Sequence, residues 1–242
     1  MTRSRDAHTV AGIDVGGHAK GTHLVILRAG EVVAQCSKQT PDEMLRRCLD
    51  WHVTAVGIDA PSRWASAAGP RSAETALARQ RVSLFSTPTR ERASESRFYH
   101  WMFAGEAIYT AFLEHYPLLR AEDAGAHLAT PSRVCFETFP HAITCAMLGR
   151  DVASAKQKRV QRRSLLEDVG IDTRALKSID DLDAALCAFT AGLLLDGKTV
   201  RLGDEADGYI VVPDGPKWRP EEITRRACVD RSTPHPQPPP RR

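Results

Sequence analysis

Apolar and polar positions alternate in blocks along the first sixty residues. Val10–Val15 and Thr22–Arg28 are short, nearly continuous apolar runs, and Glu31–Ser37 reads EVVAQCS. Each has the length and β-branched content of a strand. Ala29-Gly30 sits where a hairpin turn belongs. Three strands joined by short Gly-containing links predict an antiparallel meander. Pro41–Asp50 predicts a helix, with Pro41 at its first position and Asp42 and Glu43 at the positive end of its dipole. Val53–Asp59 predicts a fourth strand, broken by Ala60-Pro61-Ser62. A helix between two strands implies a crossover, and so a parallel pairing.

The pattern weakens over 63–132. Ser72–Gln80 and Glu106–Glu114 predict helices. Ser86–Ser96 is rich in Ser, Thr, Pro and Arg and predicts a loop. Phe98, Tyr99, Trp101 and Phe103 form an aromatic cluster, whose simplest role is packing under an insertion. Val134–Phe139 predicts a fifth strand, His141–Leu148 a short helix and Ser154–Val169 a long basic helix stopped by Gly170. Ser178–Asp196 predicts the last major helix, and Tyr209–Val212 a final strand. The fold class expected is α/β, a mixed sheet of an antiparallel three-strand meander plus parallel strands, flanked by helices. The division expected is an extension at 1–9, a domain at 10–213 with a helical insertion around 63–132, and a Pro/Arg-rich disordered tail at 214–242.

Composition excludes more than it identifies. With 242 residues, 42% hydrophobic and 26% charged, the chain reads as an ordinary globular protein. The net charge of +3 permits an acidic polymer as partner without demanding one. Six cysteines show no CxxC pair, which argues for buried thiols in a reducing compartment rather than zinc. No apolar run is long enough for a membrane span, and the first residues carry no secretory apolar segment. A cytoplasmic location with no membrane contact is expected.

The candidate chemistry lies in carboxylates. VAGIDVGG ends a buried strand on Asp14, before Gly16, Gly17 and Gly21. A buried acid needs a positive partner, and glycines let a ligand approach backbone closely. The simpler reading is a loop Asp capping a turn. Asp59 ends the fourth strand, and Glu137 lies in the fifth. In the last helix, Ser178 and Asp181 have capping-box spacing, and Asp180 suits the first turn. Asp183 lies beyond the cap on a helix apolar on every side, hence buried and in need of a partner. If this helix crosses strands one and four, Asp14, Asp59 and Asp183 converge, with Asp180 on the same helix face as Asp183. Oxygen donors without a Cys/His cluster favour Mg²⁺ or Mn²⁺. Two such ions held by carboxylates form a machine for hydrolysing phosphodiesters.

The order GIDVGG, meander, helix, GIDAPS and late DDLDAA resembles the ribonuclease H-like fold. More closely, the chain resembles the predicted ribonuclease H-like nucleases of domain of unknown function family 429. Further shared features are the Arg71…Glu74…Arg79 helix, Phe85-Ser86-Thr87-Pro88 and ETFPHA. The resemblance implies a metal-dependent nuclease with Asp14, Asp59 and Asp183 as ligands, and Asp180 as a further metal-binding acid. It implies a supporting role for Asp180, which resembles an extra acid of Holliday-junction resolvases, and a variable one for Glu137 as a further catalytic acid.

Lys156, Lys158, Arg159, Arg162 and Arg163 on the basic helix are candidates for contacting a nucleic-acid backbone, against the alternative of a solvated face. Two rival functions remain. One is an ATP-binding, kinase-like protein of the actin–hexokinase clan, whose first hairpin also pairs Asp with Gly. The other is a non-catalytic nucleic-acid-binding protein that keeps the fold.

Overall fold

The computed structural model describes residues 8–17, 21–66, 69–121 and 133–215. The N-terminal extension and the Pro/Arg-rich tail therefore lie almost wholly outside the described residues. Seven strands form one mixed sheet: β1 (Thr9–Val15), β2 (Thr22–Arg28), β3 (Glu31–Ser37), β4 (Ala55–Asp59), β5 (Val134–Thr138), β6 (Thr199–Asp204) and β7 (Gly208–Pro213). Their spatial order is β3-β2-β1-β4-β5-β7-β6. β1, β2 and β3 form the antiparallel meander, while β4, β5 and β7 continue parallel to β1. This is the α/β arrangement expected, an antiparallel three-strand meander continued by parallel strands.

Local sequence accounts for the meander. All seven residues of β1 are buried, as suits a central strand covered on both faces. β3 is half-exposed at the sheet edge. The turn between β2 and β3 has positive φ at both Ala29 (53°) and Gly30 (83°), the geometry that matches the twist of a tight hairpin. Helix α1 (Pro41–Asp50) follows, and Thr40 and Glu43 close a reciprocal capping box at its start.

Helices cover both faces. α1 and α4 (His100–Phe112) pack on one, through Ala11, Ile13, Met44, Ile58 and Phe112. α7 (Ile179–Leu195) packs on the other, with Val10, Val25, Ala55 and Phe136 beneath it and α6 (Lys158–Asp168) alongside. A smaller cluster joins α2 (Ser72–Arg79) and α5 (Pro140–Leu148) to β6 and β7. Four cysteines, Cys48, Cys135, Cys145 and Cys187, are buried as free thiols, and Cys36 is half-buried.

Several boundaries differ from the sequence reading. β6 was not expected, because TVRLGD carries Arg, Gly and Asp on a partly exposed edge strand with no clear apolar alternation. α4 starts at His100 rather than Glu106, running unbroken through Trp101 and Phe103. The 86–96 stretch holds the short helix α3 (Arg90–Ser94), whose N-cap Thr89 accepts from the Arg92 amide. α6 starts at Lys158 because the residues before it are held differently. The Gln161 side chain accepts from the Ser154 amide at 2.8 Å and donates to the Val152 carbonyl at 2.8 Å. Among the described residues, no helix is long and apolar enough to cross a membrane.

Candidate functional site

Strand parity decides which acids meet. Side chains alternate between sheet faces. Val10 and Ala55 belong to the core beneath α7, so Gly12 and Asp14, and Gly57 and Asp59, share that face. The parallel register sets Asp14 directly beside Asp59 at the carboxyl ends of β1 and β4. Their carboxyl groups hydrogen-bond to one another.

Two glycines bring the helix down onto this pair. A Cβ on Gly12 would lie 1.9 Å from the Ala184 carbonyl oxygen, and one on Gly57 2.6 Å from that of Cys187. Real Cβ contacts are never so short, so α7 rests on bare backbone at both strands. Asp183 lies one turn before Cys187 and is carried to the same sheet edge. The Ser178 hydroxyl caps α7 by accepting from the Asp181 amide at 3.0 Å. Asp181 is thereby occupied by the cap, and it also meets His23 Nδ1 at 2.8 Å.

The cluster is electrostatically tense. Asp14 and Asp183 are each 7% exposed, and Asp59 is half-buried. Burial raises the Asp14 carboxyl to about 7, helped by the charges of Asp183 and Asp180. Asp59 is pushed well above the usual carboxylate range, first by burial and then by Asp14 and Asp183. Asp183 is raised by burial too, but Arg162 opposes the rise. Arg162 reaches from α6 to form a buried ion pair with Asp183. Its Nε is buried with no hydrogen-bond partner.

Two expectations change here. Arg162 was expected on a surface facing phosphates. It is 6% exposed and turned inward to Asp183, because it precedes the buried Leu165 and Leu166 by three and four residues and so shares their face. Glu137 was expected with the catalytic acids. It pairs in register with Ile58, so parity puts it on the opposite sheet face from Asp14 and Asp59.

Glu137 instead closes a separate buried network. Arg71, at the start of α2, donates from Nη1 to Glu137 Oε2 at 2.8 Å and from Nη2 to Oε1 at 2.5 Å. The Ser62 amide and hydroxyl donate to the same Oε2, at 2.8 and 3.0 Å. Arg71 Nε donates to Glu74, which also accepts from the Thr87 amide and hydroxyl. A bidentate guanidinium with further donors uses the lone pairs that a cation would need. The signal for this pairing was present in Arg71 and Glu74, but only the structure brings Glu137 to them.

The remaining basic candidates divide. Lys156, Lys158 and Arg159 are exposed, with Arg159 donating to the Lys177 carbonyl at 2.6 Å. Arg163 is half-buried and donates to the Thr173 and Leu176 carbonyls, fastening the loop that leads to α7.

Two cavities meet at Trp101, and the smaller reaches Asp59. One of about 740 Å³ is lined by Gly16, Gly17 and Gly21, with Lys38, His100 and Trp101 in its wall. A smaller one of about 60 Å³ is lined by Asp59, Arg71, Glu137, Phe85 and Trp101. Trp101 borders both.

The donors at the edge are hard carboxylate oxygens, which suit a divalent cation such as Mg²⁺ or Mn²⁺. Asp14 and Asp59 fit that role because each opposes an acid. Asp183 fits it less readily, since Arg162 holds it. Among the described residues no three acidic, His or Cys side chains are already set around a common point.

The fold and site define an α/β protein whose central parallel strands end on a pair of opposed aspartates beneath a crossing helix. The chain belongs to the family described as "Protein of unknown function (DUF429)", which it matches over residues 12–208. No curated protein matches it. It is also similar to a solved structure described as "Thermus thermophilus RuvC structure", at 13% identity over 78% of this chain and 96% of that chain, with a TM-score of 0.37. So remote a likeness carries no chemistry.

Proposed function

We propose that the protein is a metal-dependent nuclease that hydrolyses phosphodiester bonds at the Asp14–Asp59–Asp183 edge. The observation that carries this reading is the pairing of Asp14 with Asp59, two raised carboxyls in register on adjacent parallel strands, with the charge of Asp183 raising both. Like charges so placed resist joint ionisation without a cation. Asp14 and Asp59 would hold Mg²⁺ or Mn²⁺, with Asp183 and Asp180 completing the oxygen set. Bound there, such ions supply a Lewis acid and a more acidic water, in the two-metal arrangement used for phosphodiesters.

The chain's own residues supply the rest. Arg162 holds Asp183 in place and sets a positive charge beside the edge, where a phosphate would develop negative charge. Lys156, Lys158 and Arg159 are exposed near the start of α6 and are suited to phosphate-backbone contact. Arg71 ties Glu137 and Glu74 into a rigid floor, leaving Glu137 outside the reacting groups.

The test pairs metal binding with cleavage. Mg²⁺ or Mn²⁺ should raise the melting temperature of the wild type, because a ligand that binds only the native state stabilises it. The same ions should support cleavage within a panel of labelled single-stranded, duplex, hybrid and branched oligonucleotides. Asp14→Asn and Asp59→Asn should lose both responses. A wild type with no metal-induced shift and no cleavage would return the protein to a non-catalytic nucleic-acid-binding role. One observation favours a second reading: the 740 Å³ cavity lined by Gly16, Gly17 and Gly21, with Lys38 in its wall, has room for a nucleotide. Stabilisation by ATP but not by oligonucleotides would support that kinase-like alternative.

A further inference from the structure

The segment between α2 and α4 carries the two most exposed phenylalanines of the described chain. Phe85 is 69% exposed and Phe98 54% exposed. Neither is a stray surface ring. They meet edge to face with centroids 5.3 Å apart, and Phe98 meets Tyr99 in the same manner at 5.0 Å. Three rings therefore form a continuous aromatic ridge, and two of them present most of their surface to water.

The ridge stands beside the acidic edge. Phe85 lines the small cavity together with Asp59 and Trp101. A second cavity of about 280 Å³ lies against Tyr99 and includes Arg92, Ser86, Thr87 and Thr89. That is close to the lower limit of small-ligand sites, about 300 Å³. Arg92 and Arg97 are exposed, and Arg97 adjoins Phe98 in sequence. Open ring faces, guanidinium groups and hydroxyls are thus gathered within one segment.

Resting on the nuclease reading above, we propose that this ridge stacks unpaired nucleobases, so that the substrate is single-stranded nucleic acid or a single-stranded stretch within a larger one. Charge and shape select this occupant. Aromatic rings accept a base on its π-face whatever its sequence, and the neighbouring arginines match the phosphates between bases. A duplex keeps its base faces stacked inside and offers none to a protruding ring. The ridge would hold the strand beside the cavity that Asp59 lines, which links binding to the acidic edge.

The experiment measures binding without cleavage, in EDTA. The probes are single strands of about 12 nucleotides, within the range that such sites cover. DNA and RNA versions each carry 2-aminopurine, and the matching duplexes serve as comparison. Phe85→Ala and Phe98→Ala change exposed rings, so each variant should melt with the wild type. Each should bind single strands about 5- to 150-fold more weakly, the range found when a stacking ring is removed, and should lose the quenching of 2-aminopurine. Duplex affinity should not move. Phe98→Trp should retain binding and quenching, which separates a stacking role from a loss of local order.

Equal affinity of the wild type for single and double strands, untouched by either Ala variant, overturns the ridge while leaving the metal-dependent melting shift to judge the nuclease reading on its own. A wild-type dimer that the Ala variants dissociate, with nucleic-acid affinity unchanged, also overturns it, by showing that a second copy covers the rings. Absence of any nucleic-acid binding by the wild type overturns it as well.

Discussion

The carboxylate pair should make the metal-free protein less stable as pH rises toward neutrality, and Asp14→Asn should remove that loss. Folding raises the Asp14 carboxyl from its ordinary 3.8 to about 7, mainly through burial and then through Asp183 and Asp180. Between those values the native state holds a proton that the unfolded chain has released. The unfolded state then binds fewer protons, so unfolding free energy falls as pH increases. The favourable contribution is fully present below pH 3.8 and is lost as pH climbs through about 7. A rise from 3.8 to about 7 corresponds to at most about 4 kcal/mol. For a chain of this size that is on the order of 10 °C in melting temperature.

Asn at position 14 keeps the shape, cannot ionise and can donate to Asp59. The assay is urea or thermal unfolding of both proteins in EDTA, from pH 4 to pH 8. The difference between them is the quantity to read, because other titrations cancel. The two curves should nearly coincide at pH 4. They should separate progressively, with the variant the more stable by several kcal/mol at pH 8. A variant that is equally or less stable than wild type at pH 8 would refute the reasoning. It would mean that Asp14 is ionised and satisfied in the native protein, with no need of a cation.

Two further outcomes test how the edge is assembled. Gly12→Ala places a methyl group 1.9 Å from the Ala184 carbonyl oxygen and 2.2 Å from the Ala188 nitrogen, and backbone cannot give way cheaply. Unfolding experiments should show a loss of about 3 kcal/mol or more, and an unchanged melting temperature would show that α7 does not rest on β1. Arg162→Met leaves Asp183 buried beside Asp14 and Asp59 without its guanidinium. It should cost about 3–5 kcal/mol in EDTA at neutral pH, with part of the loss restored by Mg²⁺. Equal stability with and without Arg162 would show that the pair contributes nothing to the native state.

Much of the frame was legible because local chemistry dictated it. The apolar runs of β1 and β2, Ala29-Gly30, the cap of α1 and Ser178 before Asp181 each specify their element without distant help. The meeting of Asp14 and Asp59 was legible in the same way, since two strands flanking a crossover helix are neighbours and both end on an acid. The face on which Glu137 lies was not legible. It depends on the register of β5 against β4, and a single-residue change there moves the side chain across the sheet. Arg162 was open to a finer reading. A helix carrying five basic residues looks uniformly solvated, yet its spacing from Leu165 and Leu166 marks it as turned inward. The spacing of Gly12 to Asp14 and of Gly57 to Asp59 carried the closest clue. In both strands a residue without a side chain precedes the acid by two, on the same face, where a helix must come close.

The buried acids of this sheet edge differ in what faces them. Arg71 serves Glu137 and Glu74 together, and Arg162 serves Asp183. Those acids are matched within the fold, and truncating either arginine would leave a charge stranded in a poorly solvated place. Asp14 and Asp59 face each other, and their remaining help comes from Arg162, which is already committed to Asp183. Counting Asp14, Asp59 and Asp183 against Arg162 leaves two carboxylates in excess. Two outcomes relieve that excess: the pair retains protons at neutral pH, or a species of charge +2 is held between them. The first makes the edge a carboxylic acid pair that opposes ionisation, and the second makes it a seat for one divalent cation. A second cation would then depend on Asp183 exchanging Arg162 for it, or on the negative charge that a phosphate brings. On this balance Arg162 governs full loading of the edge, and under the nuclease proposal the phosphate of the substrate would share that control.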